Sequence, residues 1–187
     1  MENRERQILN AATQAFLRYG VKRTSMGDIA EEAGVARQTL YNFYSSKDDI
    51  LRGSIRMFGE DARAEIEAGL AARHTVAEQI RTILAEMVVK PFIFLHSSPN
   101  AQDLIDGYNA AGRCEIEANG DGFRGLLAQV FDPFAPTLAD RNLTPDSLAE
   151  IVQRSATALK SQARDEAHVK RLMDGLQSMV TATLGID

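Results

Sequence analysis

The chain has 187 residues, 44% apolar and 25% charged with a net charge of −5, the balance of a globular protein long enough to bury a sizeable core. Its one cysteine, Cys114, excludes an internal disulfide framework. The most apolar stretch, residues 87–95, is short and interrupted by Lys90 and Pro91, so a membrane span is excluded too. The first six residues are polar and mixed in sign, not a secretory signal, and the chain reads as cytoplasmic. Charge is unevenly spread. Residues 1–56 carry nine Lys and Arg against seven Asp and Glu, whereas the remaining 131 carry twelve against nineteen. A basic head on an acidic body is compatible with nucleic acid, because affinity depends on local neutralisation of phosphates.

Helical spacing recurs from end to end and no stretch alternates as a strand, so the expected fold is all-α. Asn3 suits an N-cap for a first helix to Tyr19, with Ile8, Ala11, Ala12, Ala15, Phe16 and Tyr19 on one face and Gly20 as a left-handed C-cap. Ser25 opens a second helix, with Asp28 at its third position, ending at Gly34. A short third helix spans about Arg37 to Phe43, and Ser46 with Asp49 starts a long fourth one towards Ala68. Thr75 and Glu78 form a capping box for a helix to about Val89, which Pro91 should end, with room for it to begin another short one. Residues 97–100 and 119–122 read as turns, and 131–144 as a long connection. Thr144 followed by Pro145 starts the first of two final helices, about 146–163 and 165–184.

Residues 25–44 thus form a helix, a glycine turn and a short helix. A helix-turn-helix places the N-terminal residues of its second helix in the major groove. Here those are Arg37, Gln38 and Thr39, then Tyr41 and Asn42; Arg pairs with guanine, Gln with adenine, and Thr with a thymine methyl or a phosphate. Tyr41, Tyr44 and Lys47 suit phosphates, as does the helix start at Ser46. Spacing alone fits a plain helical hairpin with a polar end equally well.

Residues 4–56 resemble the N-terminal domain of the TetR family of bacterial transcriptional regulators. The resemblance is carried by Ile8-Leu9-Asn10-Ala11-Ala12, Phe16 and Tyr19-Gly20, then by the unbroken run from Thr24 to Val35. Thr39-Leu40-Tyr41-Asn42-Phe43-Tyr44, Ser46-Lys47 and Ile50-Leu51 complete it. The chain departs from the family pattern at Ala36, where a capping residue is usual, and at Tyr44, where Phe is commoner. Ala36 forgoes about 1 kcal/mol of capping, and the Tyr44 hydroxyl is within the expected reach of DNA.

The resemblance implies a three-helix DNA-binding domain over residues 1–46, with Thr24, Ser25 and Met26 beside the residues named above. A larger helical domain for ligand binding and dimerisation would follow over 47–187, the helix from about Ser46 linking the two. In the final helices Leu148, Ile151, Val152, Ser155 and Leu159, then Val169, Leu172, Met173, Leu176, Val180 and Leu184 form apolar faces, with Ala156, Ala158 and Gly175 permitting close approach. They fit a four-helix bundle across a two-fold axis, or packing within one subunit; the resemblance favours the homodimer. The middle segment holds six of the eight phenylalanines among scattered polar residues. It reads as plain core or as a pocket for a largely hydrophobic small molecule, lined by Phe58, Met87, Phe92, Phe94, His96, Tyr108 and Arg113, with Arg113 placed to meet a carboxylate.

The function implied is a repressor that binds a palindromic operator in double-stranded DNA as a homodimer and is released by a small-molecule inducer. Two other readings compete with it. An enzyme lacks a site: His74, His96 and His168 form no metal-binding spacing, Cys114 with His96 makes a poor pair, and no phosphate loop is present. No catalytic residue, metal or cofactor is expected. A helix-turn-helix adaptor that binds a protein partner is the other alternative.

Overall fold

The computed structural model describes residues 3–73, 75–105 and 110–186, whose regular structure is entirely helical. In chain order the elements are α1 Asn3–Tyr19, α2 Met26–Glu32, α3 Arg37–Phe43, α4 Lys47–Ala71 and α5 Val76–Leu84. A π-helical turn Ala85–Val89 leads into α6 Lys90–Leu95, followed by α7 Gln102–Ile105 and α8 Ala110–Phe131. A 3-10 turn Asp132–Phe134, α9 Ala135–Ala139, α10 Pro145–Gln162 and α11 Glu166–Leu184 complete the chain. Among the described residues no helix is long and apolar enough to cross a membrane.

Local chemistry sets the helix starts. Ser25, Thr75 and Thr144 each accept the N–H three residues on, and Asp28, Glu78 and Ser147 return a bond to the cap's own N–H. Two orphan donors are satisfied at each start. Three expectations fail. Pro91 stands in the first turn of a further short helix, α6, but without the expected break, because the π turn runs straight into it, with Lys90 N–H donating to the carbonyl five residues back at Ala85. A proline ring clashes with the carbonyl four residues earlier in an α-helix, and the wider turn relieves that clash. Residues 119–122 are helical within α8, not a turn. Their glycines make room for neighbours: a Cβ on Gly120 would lie 2.9 Å from Gln153 Nε2 of α10. The connection expected over 131–144 contains the 3-10 turn and α9.

Packing divides the chain into two compact units, residues 1–61 with 94–119, and residues 62–93 with 120–187. In the first, Ile8, Leu9, Ala12 and Phe16 of α1 close over Ile29 and Ala30 of α2, Leu40 of α3 and Ile50, Leu51 and Ile55 of α4. In the second, α11 packs against α10, α5 and α9. Its core joins Ile80, Ile83 and Leu84 with Leu127, Phe131, Val152, Val169, Met173 and Val180. Most of the apolar face of the final helices is consumed inside that unit, but Ile151 and Met179 stay 51% and 70% exposed.

Candidate nucleic-acid interface

The helix-turn-helix is built by a glycine and an apolar anchor. Gly34 sits at φ +63°, donating to Glu31 O at 3.0 Å while Val35 N–H donates to Ala30 O at 3.0 Å. This pair of reversed bonds is the Schellman closure, which satisfies the last carbonyls of α2 and turns the chain sharply. Gln7 of α1 adds a side-chain bond to Ala33 O at 2.9 Å, fixing the end of α2 on α1. After the turn, α3 starts at Ala36 without a side-chain cap, as its sequence implied. Leu40 is fully buried and seats α3 in the core of its unit. Arg37, Gln38, Tyr41 and Asn42 are therefore exposed, with Thr39 half-buried, and Tyr41 keeps 51% of its surface. Gln38 Nε2 donates to Asn42 Oδ1 at 3.3 Å one turn along, so the two amides lie in line on the exposed face.

At the start of α2, Ser25 is exposed and Met26 half-buried. Ser25 Oγ accepts Asp28 N–H at 3.2 Å and Ser25 N–H donates to Asp28 Oδ2 at 2.8 Å. The Ser25 backbone bond, then its hydroxyl, hold the Asp28 carboxyl below its ordinary value against a desolvation that opposes them, and Arg37 contributes last. The Arg37 guanidinium lies over α2: a Cβ on Gly27 would stand 2.6 Å from its Nη2.

Two residues expected at the surface turn inward. Thr24 is 2% exposed, and its hydroxyl donates to Gly20 O at 2.8 Å, closing the turn between α1 and α2. Tyr44 is 7% exposed, and its hydroxyl donates to Glu5 Oε1 at 2.9 Å, a partner within the protein. Burial first, and then Glu5, push that phenol well above its ordinary value. Gly53 of α4 leaves the space, since a Cβ there would lie 3.1 Å from the Tyr44 oxygen. The start of α4 is likewise occupied by its own acid. Asp49 accepts bonds from the Ser45 hydroxyl, from Ser46 Oγ at 2.9 Å, and from Arg52. These contacts, in that order, lower its carboxyl to about 2. Lys47 is half-buried, and the turn between α1 and α2 displays Lys22 and Arg23, exposed cations outside the set that the motif singles out. Their adjacency just ahead of the Ser25 cap is the only signal of them in the sequence.

The middle-segment residues fall in different places. Phe58 and Phe94, both half-buried in the first unit, pack with centroids 5.3 Å apart and planes tilted by 58°. Met87 and Phe92 belong to the core of the second unit. His96 and Arg113 are exposed, and Tyr108 lies outside the described residues, as does His74. Among the described residues no group of three or more His, Cys, Asp and Glu is placed to hold a metal ion.

A reversed glycine turn between two short helices, the second held by one buried leucine and bearing a row of exposed polar side chains, defines a helix-turn-helix protein. Residues 8–53 match the model of the bacterial regulatory proteins of the tetR family. The uncharacterized HTH-type transcriptional regulator YezE of Bacillus subtilis is 35% identical over 81 residues, covering 43% of this chain and 42% of the relative. The chain thus spans under half the length of this curated relative. The all-helical fold extends further than the sequence match. A transcriptional regulator of the TetR/AcrR family from Thermobifida fusca aligns over 98% of this chain and 97% of its own at a TM-score of 0.69 and 18% identity. The regulator FadR from Bacillus subtilis, solved in complex with stearoyl-CoA, aligns over 96% and 95% at a TM-score of 0.63 and 18% identity.

Proposed function

We propose that the chain is a DNA-binding repressor that acts as a homodimer on a palindromic operator and is released by a small, largely hydrophobic molecule. The observation that carries the DNA-binding part is the exposed row Arg37, Gln38, Tyr41 and Asn42 on a helix anchored by buried Leu40. Arg and Gln offer bidentate bonds to guanine and adenine edges, Asn serves adenine, and Thr39 suits a thymine methyl. Ser25 and Met26 at the start of α2 accompany them, for the first helix of the motif crosses the sugar-phosphate backbone. In this reading residues 1–46 bind DNA and residues 47–187 bind ligand and pair the subunits.

Dimerisation is supported by Ile151 and Met179, apolar residues exposed on α10 and α11, beside the small residues Ala158, Gly175 and Ala182, exposed on the same helices. Such a surface suits pairing with its own copy across a two-fold axis. The ligand part is supported by the aromatic middle segment and by a fold-level neighbour bound to an acyl-CoA. Of the residues expected from the sequence, Phe58 and Phe94, which pack together within the first unit, are its proposed ligand contacts. Release would be a population shift, the ligand favouring by about 1–3 kcal/mol a dimer whose reading helices no longer match grooves about 34–36 Å apart.

Selection of duplexes from a random-sequence pool by the purified protein tests this function. Enrichment of two inverted half-sites one helical turn apart is expected; a pool that never converges would remove sequence-specific recognition.

A further inference from the structure

Lys47, expected from the sequence to bond a phosphate, directs its ammonium into the protein. Nζ donates to the carbonyl of Thr24 at 2.8 Å and to that of Lys22 at 3.3 Å. Two of its three N–H groups are thereby committed to the turn between α1 and α2. That turn is closed from within as well. Thr24 N–H donates to Gly20 O at 3.2 Å, and Arg23 Nε donates to Tyr19 O at 2.6 Å. What the braced turn presents to solvent is the side chain of Lys22 and the four remaining N–H groups of Arg23. It leads within two residues into α2, whose first-turn Gly27 carries the Arg37 guanidinium against it. Two exposed cations therefore stand at the same end of the motif as the start of the reading helix.

We propose that Lys22 and Arg23 are the phosphate-binding cations at this end of the interface, and that Lys47 is a positioning residue that holds their turn in place. The proposal rests on the DNA-binding reading above. Arg23 also borders a groove lined by Asp28, Glu31 and Glu32, of which only Glu32 is offset there by an ion pair with Arg18 at 3.1 Å; the net acidic lining disfavours a phosphate, so Lys22 carries the larger share.

The salt dependence of binding separates the two roles, because each phosphate neutralised releases counterions and steepens the dependence of log affinity on log salt by about 0.9. The protein would be titrated against one duplex enriched by the wild type, between about 50 and 200 mM salt. Lys22→Gln, Arg23→Gln, Lys47→Met and Lys47→Arg would be compared, each first shown to be folded by its thermal melt. Lys22→Gln is expected to flatten the slope by about 0.9 for each phosphate no longer neutralised, twice that in a two-fold dimer, and Arg23→Gln to flatten it less. Lys47→Met should lower affinity several-fold at every salt concentration with the wild-type slope, and Lys47→Arg, which keeps donors for both carbonyls, should restore it. A flattened slope in Lys47→Met with unchanged slopes in the other two would overturn the assignment. So would a folded Lys47→Met with wild-type affinity, which would leave Lys47 a purely structural role. Failure of the wild type to bind any duplex is a separate result that needs no variant, and it would sink the DNA-binding reading itself.

Discussion

Gly34 has no heavy atom within 4 Å of where a Cβ would stand, yet its φ of +63° lies where side chains are rarely accommodated. The demand for glycine there comes from the backbone alone, unlike Gly27 or Gly53, whose missing side chains admit Arg37 and Tyr44. Gly34→Ala should therefore destabilise the protein by about 1–2 kcal/mol, the cost of a left-handed residue with a Cβ, as read from urea unfolding. Two positions further on the sign reverses. Ala36 is an extended N-cap at φ −65° with no side-chain bond to α3. A serine there could accept from the exposed N–H groups of the first turn, so Ala36→Ser should stabilise by about 1 kcal/mol. Equal melting of Ala36→Ser and wild type would show that those N–H groups already have adequate partners in water.

At the level of elements, the start of α4 has a pH signature. Asp49 is lowered to about 2 by Ser45, Ser46 and Arg52, below the 3.8 of a free aspartate. A depressed carboxyl stabilises the fold above its unfolded value and loses that contribution as pH falls towards its folded one. The stability gap between wild type and Asp49→Asn should be constant above about pH 5 and close between about pH 4 and pH 2; a gap independent of pH would remove the ionic part of the cap. Elements with local signals were legible in the sequence. The bounds of α1, α2 and α3 follow from Ser25, Gly20, Gly34 and the apolar spacing, all of which act within a few residues. Where distant partners decide, the sequence was opaque. Gly120 looks like a turn residue until Gln153 is placed against it, and nothing local shows that α8 runs on through it. Pro91 looks like a terminator until the preceding π turn absorbs its ring. The inward rotation of Thr24 and Tyr44 had the same cause, for the carbonyl of Gly20 and the carboxylate of Glu5 are partners that folding supplies. The exposed polar row on α3 was legible because one buried residue, Leu40, fixes which face is exposed.

For the whole molecule, function as proposed needs two copies, since a seven-residue reading helix contacts only one half-site. Met179, 70% exposed on α11, is the residue whose change should reveal this. Met179→Asp would bury a charge in each copy of a symmetric interface, and it is expected to shift the protein to monomer in sedimentation while leaving the melt of the isolated subunit near wild type. A dimer that survives the change would place the interface elsewhere. The most direct measurement concerns recognition itself: affinity for a selected palindrome relative to a scrambled duplex, at one fixed salt concentration, for wild type, Arg37→Ala and Tyr41→Ala. The expected result is a strong preference for the palindrome in the wild type, a loss of about 1–3 kcal/mol of that preference in Arg37→Ala, and weaker binding to both duplexes in Tyr41→Ala. Equal affinity of wild type and Arg37→Ala for the two duplexes would contradict base reading by α3.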